Sequence, residues 1–176
     1  MKMENNDILI RLRYALDIKD TDMAEIFKLG GIDITKDDVL KILTKPKDGY
    51  EDEYDYAGEL IEDEDHIKCT NRMLESFLNG FITFKRGKQE PKPGQADHPE
   101  PSKTRENVNN MLLKKVKIAL ALTSEEMLDI FEKAGITVTK GELGAMLRKE
   151  GHKNYKQCLD KYARNFLKGL ALKYRN

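Results

Sequence analysis

No run of about 18 consecutive apolar residues occurs in the 176-residue chain, which argues against a membrane-spanning helix. The opening stretch "MKMENNDILIRLR" is charged too early for the apolar centre of a signal peptide. Only two cysteines are present, Cys69 and Cys158. Without an export signal, they are expected as free thiols in a reducing cytoplasm. Neither has a second Cys or a His at metal-ligand spacing, so both read as small buried core residues. The three histidines, His66, His98 and His152, are scattered. No nucleophile elbow, phosphate-binding loop, HExxH or GxGxxG pattern occurs. The acidic runs "EDEYD" and "EDED" lack the glycine-punctuated alternation of a calcium loop. No catalytic, cofactor-binding or metal-binding residue is therefore assigned, and the chain is read as a non-enzyme.

A segment that occurs twice stands in place of those motifs. "TDMAEIFKLGGIDITK" (21–36) returns as "SEEMLDIFEKAGITVTK" (124–140). At a constant offset of 104, residues 6–43 lie over 110–147 without a gap. Leu9, Ala15, Met23, Ile26, Phe27, Gly31 and Thr35 are among those that meet identical residues. A second block, "CTNRMLESFLNGF" from Cys69, lies over "CLDKYARNFLKGL" from Cys158 at an offset of 89. Such a repeat signals duplication of one structural unit.

Each copy reads as four helices. The first carries a one-face apolar stripe, Ile8, Leu12, Ala15 and Leu16, echoed by Leu112, Val116, Ala119 and Leu120. The second holds Met23, Ile26 and Phe27, echoed by Met127, Ile130 and Phe131, and ends at Gly31 or Gly135. Thr123 with Glu126 has capping-box spacing. Thr35 with Asp38, and Thr139 with Glu142, start the third helix after a short β-like alternation. The fourth is expected over about 66–84 and 154–173, with Tyr155, Cys158, Tyr162, Phe166 and Leu170 on one stripe. The expected fold is all-α: a tandem duplication of a four-helix unit, related by a pseudo-twofold axis. Phe27 and Phe131 should fill equivalent core sites, with Phe77 and Phe166 beside them.

The expected boundaries are a first repeat over 1–86, a Pro-rich linker over 87–109 and a second repeat over 110–176. The first repeat includes an acidic insert at about 47–65, and the linker holds four of the five prolines. Net charge is zero, yet residues 1–86 carry 13 basic and 20 acidic side chains (net −7). Residues 110–176 carry 14 basic and 7 acidic side chains (net +7). The halves therefore differ in which partners they attract. In the basic half, Lys140, Arg148, Lys149, His152, Lys153 and Lys156 form a dense cationic run. They are the candidate contacts for a partner or for nucleic acid. Ser124–Ala134 followed by Thr139–Lys149 looks like a helix-turn-helix, but the connection is longer than the three or four residues of the DNA-reading motif. A plain helical hairpin fits as well. A protein-interaction or adaptor module, including self-association, is the leading expectation. Nucleic-acid binding by the second repeat is the alternative.

The segments "NNMLLKKVKIALALTSEEMLDIFEKAGI", "HKNYKQC", "NFLKGLA" and "SFLNGFITFKRGK" resemble the YehS-like family of small bacterial proteins, which carry a domain of unknown function twice per chain. The resemblance spans nearly everything outside the linker and the acidic insert. It implies an all-helical duplicated fold in a bacterial cytoplasm and no particular activity. The longer acidic segment after Leu43 departs from the pattern expected of the family.

Overall fold

The computed structural model describes residues 3–44, 66–87 and 107–175. The acidic insert at 47–65 lies outside the described residues, as does most of the linker. Eight helices and no strand occur among the described residues: α1 (Asn5–Leu16), α2 (Asp20–Leu29), α3 (Lys36–Leu43), α4 (Asn71–Arg86), α5 (Val108–Ala119), α6 (Ser124–Lys133), α7 (Lys140–Leu147) and α8 (Asp160–Tyr174). None is long and apolar enough to cross a membrane.

The duplication is visible down to the helix ends. Thr35, Thr123 and Thr139 each accept a hydrogen bond from the backbone N–H three residues on, at 3.1 Å. This satisfies a donor that the first helical turn leaves free. At the end of α2, Gly31 has φ 94°. Its N–H reaches the Lys28 carbonyl (3.0 Å) while the Ile32 N–H reaches Phe27 (2.9 Å). Gly135, φ 87°, repeats this pattern with Glu132 and Phe131. Both are Schellman endings, which need a left-handed residue. The α1 and α5 ends use the same turn without glycine, at Asp17 (φ 51°) and Ala121 (φ 52°).

In each repeat the second and fourth helices cross at a glycine. A Cβ on Gly80 would lie 1.9 Å from the Ile26 carbonyl oxygen, and one on Gly169 would lie 2.0 Å from that of Ile130. Only the missing side chain allows this approach. Around it lie the expected aromatics. Phe27 and Phe77 have ring centroids 4.9 Å apart, Phe131 and Phe166 are 5.5 Å apart, and all four are fully buried.

The two repeats are not separate bodies. Helix α1 packs along α8 of the other repeat, and α5 packs along α4, while α1 and α5 meet the fourth helix of their own repeat far less. One continuous core takes residues from both halves, from Met3 to Leu170. The α1–α8 seam is parallel. The Met3 N–H donates to Asp160 Oδ2 at the start (3.0 Å), and Arg175 Nη1 donates to the Tyr14 carbonyl at the end (2.8 Å).

The fourth helix differs from its sequence reading. It starts at Asn71 and Asp160 rather than near 66 and 154, so Tyr155 and Cys158 precede α8 rather than lying on its stripe. The cause is a side chain that competes for the backbone groups a longer helix would use. Asn6 Nδ2 donates to the Ile42 and Ile67 carbonyls (both 2.8 Å), and its Oδ1 accepts from the Cys69 N–H (2.9 Å). Asn110 makes the same three bonds, to Met146 (3.0 Å), Lys156 (2.9 Å) and Cys158 (2.8 Å). The preceding residues, Asn5 and Asn109, bond the Cys69 and Cys158 carbonyls, both at 3.1 Å. These clamps hold 67–69 and 156–158 outside the fourth helix. The β-like alternation after α2 and α6 likewise forms no strand, and serves as a connection into α3 and α7.

Candidate cationic surface

Five of the six candidate residues come together in one segment. Arg148 caps the end of α7, and Lys149, His152, Lys153 and Lys156 follow in the connection to α8, all exposed. Turns shape this connection. The His152 N–H bonds the Lys149 carbonyl (3.0 Å), the Tyr155 N–H bonds the His152 carbonyl (2.9 Å), and Gly151 has φ 93°. The Asn154 N–H donates to His152 Nδ1 at 3.1 Å. The segment's far end is tied down twice. The Lys156 N–H bonds the Ala145 carbonyl (3.0 Å) and the Lys156 carbonyl accepts from the buried Asn110. A short charged loop is thus displayed on a fixed base.

Lys140 lies elsewhere. It opens α7, about 12 Å along the axis from Arg148 at 1.5 Å per residue, and faces Glu125 at 3.5 Å. Lys156 is partly neutralised by Glu142 (3.5 Å) and lies over the Tyr162 ring at 5.6 Å. Arg148, Lys149 and Lys153 have no ion-pair partner among the described residues. Of the six candidates, these three cations are the ones left without a charge partner among the described residues.

The six-residue connection between α6 and α7, from Ala134 to Thr139, is longer than a DNA-reading turn. The buried side of α7, Leu143 and Met146, faces the core.

The cysteines are core residues. Burial pushes the thiols of Cys69 and Cys158 up to about 12, with Asp160 adding to the effect at Cys158, and both are free. Among the described residues no group of three His, Cys, Asp or Glu side chains is placed to hold a metal. Glu126 is held below its usual range, chiefly by the Thr123 N–H in its capping box.

What sequence reading missed is the asparagine pair. Asn110 opened the gapless match, but its role is invisible without the fold, because asparagine is usually a surface residue. The recurrence of the Asn-Asn pair at the same place in both copies was the available signal.

The family described as "Protein of unknown function (DUF1456)" matches over two segments, residues 5–87 and 109–176, which correspond to the two repeats. The chain is also similar to "Uncharacterized protein YehS" of Escherichia coli (strain K12), with 37% identity over 169 residues, covering 96% of this chain and 95% of that one. No solved structure matches.

Proposed function

The chain belongs to the DUF1456 family of proteins of unknown function, and from that premise we propose that it is a non-enzymatic protein-interaction module of the bacterial cytoplasm. Its contact surface is the α7–α8 connection. The observation that carries this reading is the display of Arg148, Lys149 and Lys153, exposed and unpaired among the described residues, on a base fixed by Asn110. A pre-ordered cationic loop loses little freedom on binding, which favours an acidic protein partner. The equivalent connection of the first repeat is the acidic insert, so the two connections carry opposite charge and select different partners.

The test is affinity capture from bacterial extract with the intact chain and with Arg148→Glu/Lys149→Glu/Lys153→Glu. Lys156 is left alone because its pairing with Glu142 and stacking on Tyr162 serve the fold. A protein retained by the native chain, lost by the variant and unaffected by nuclease supports the reading. Retention that nuclease abolishes favours nucleic-acid binding through the same cations. Equal retention by both chains removes the α7–α8 connection from consideration.

A further inference from the structure

A second surface has a different character. Along α8, Lys161, Arg164, Lys168 and Arg175 fall at spacings of three, four and seven, which places them on one stripe over about 21 Å. The stripe runs beside α1. Two contacts bracket the seam's register, the Met3 N–H on Asp160 (3.0 Å) and Arg175 on the Tyr14 carbonyl (2.8 Å), and they set Arg11 beside the α8 turn from 168 to 172. Arg11 and Lys168 therefore lie within about one helical turn of each other across the seam. Neither makes a hydrogen bond or ion pair among the described residues, and both are exposed.

The sister seam shows that the fold does not require this charge. On α4, Glu75 and Asn79 occupy the places of Arg164 and Lys168, and Lys115 occupies that of Arg11. There Lys115 Nζ donates to Asn79 Oδ1 at 2.5 Å. A cation facing an amide stabilises that seam, whereas the α1–α8 seam sets cation against cation, which costs energy unless an anion lies between. Beyond Arg11 the seam ends in an aromatic platform. Tyr14 is 60% exposed, and the Arg175 guanidinium carbon lies 4.1 Å from its ring centroid. Acidic groups nearby are already engaged. Asp17 is 3.6 Å from Arg175, Asp160 accepts from Asn109 (2.8 Å) and Met3, and Asp7 has a partner within the protein.

We infer that the α1–α8 seam is a binding surface for single-stranded nucleic acid, with Arg11 and Lys168 taking the backbone phosphates and Tyr14 stacking a base. A line of cations ending in an exposed, Arg-backed ring suits a strand whose phosphates and bases are both accessible. An acidic peptide would use the cations but leave the ring idle. The surface is separate from the α7–α8 connection and does not depend on the proposal made for it.

The test is fluorescence anisotropy of the full chain with a labelled oligouridylate of about twelve nucleotides. Contact with three phosphates, at Arg11, Lys161 and Lys168, predicts a slope of log K against log salt of about −2. Arg11→Gln/Lys168→Gln should weaken binding at least tenfold at low salt and make that slope shallower by about 1.4, two phosphates' worth. Tyr14→Phe should bind as the native chain does. Tyr14→Ala should lose about 5- to 150-fold, with an unchanged far-ultraviolet spectrum and melting midpoint as evidence of folding. Lys28→Gln/Lys36→Gln removes equal charge from α2 and α3 and should leave binding intact. The inference is overturned if that control loses as much affinity, or if an oligoglutamate competes as well as the oligonucleotide. It is also overturned if neutralising Arg148, Lys149 and Lys153 abolishes binding while Arg11→Gln/Lys168→Gln retains it.

Discussion

Asn110 and Asn6 each tie together three backbone groups of their own repeat. Asn110 has no solvent exposure, yet all its hydrogen-bonding groups are used, and among the described residues no buried side-chain nitrogen or oxygen lacks a partner. Asn110→Ala strands the Met146 and Lys156 carbonyls and the Cys158 N–H, and a buried group left unsatisfied costs about 1–3 kcal/mol. The expected loss is about 3 kcal/mol or more, read as a lower urea midpoint. Asn110→Asp should not rescue it, because a carboxylate cannot donate to the two carbonyls. Ala121 offers the opposite case. A left-handed alanine costs about 1–2 kcal/mol, and glycine returns part of that through a more flexible unfolded chain. Ala121→Gly should therefore gain about 0.5–1 kcal/mol in the same assay. The thiols give a pH dependence. In the unfolded chain they titrate near their ordinary value of 9.0, and in the folded chain near 12. Above pH 9 the unfolded state releases protons that the folded state retains, so their contribution is fully present below pH 9 and is lost as pH rises toward 12. Unfolding measured from pH 8 to 11 should show a steeper fall for the native chain than for Cys69→Ala/Cys158→Ala.

At the scale of the helix, sequence and structure agree where capping and termination signals bracket an apolar stripe. Helices α2 and α3 reappear as α6 and α7 at an offset of 104 for every boundary, and the local signals behind this are the threonine starts of α3, α6 and α7 and the glycine stops after α2 and α6. The fourth helix was misread because Tyr155 and Cys158 continue the apolar period of Tyr162 and Phe166 upstream, and periodicity alone does not reveal that Asn110 already holds those backbone groups. The α2–α4 and α6–α8 crossings were also hidden, since a glycine within a helix signals weakness before it signals contact. Gly169→Ala should cost about 3 kcal/mol, because the new methyl group meets the Ile130 carbonyl and one helix must move. Gly144→Ala is the control within α7. Nothing lies within 4 Å of the added carbon, so the usual gain of about 0.5–1 kcal/mol for removing glycine from a helix is expected. Calorimetry of the two variants should shift the midpoint in opposite directions.

For the whole molecule, the repeats were legible and their docking was not. The stripe Ile8, Leu12, Ala15 serves equally for packing inside a repeat or between repeats, and only the fold shows that α1 packs mainly on α8 of the other copy. Two contacts recur across the seams with matching partners. Arg175 reaches the Tyr14 carbonyl at 2.8 Å, and Arg86 reaches the Ile118 carbonyl at 3.4 Å. Those pairs are equivalent by the offsets of 89 and 104. A physical consequence follows for the linker proposed over 87–109. If protease cuts between Gln89 and Lys103, the covalent tie is lost but both parallel seams remain. The fragments should stay together, elute as one species on size-exclusion chromatography and melt in one transition. Cutting makes assembly bimolecular, so the midpoint of the nicked form should rise with protein concentration while that of the intact chain stays fixed. Fragments that separate without denaturant would mean that the seams contribute little, and that each repeat folds by burying α1 or α5 within its own half.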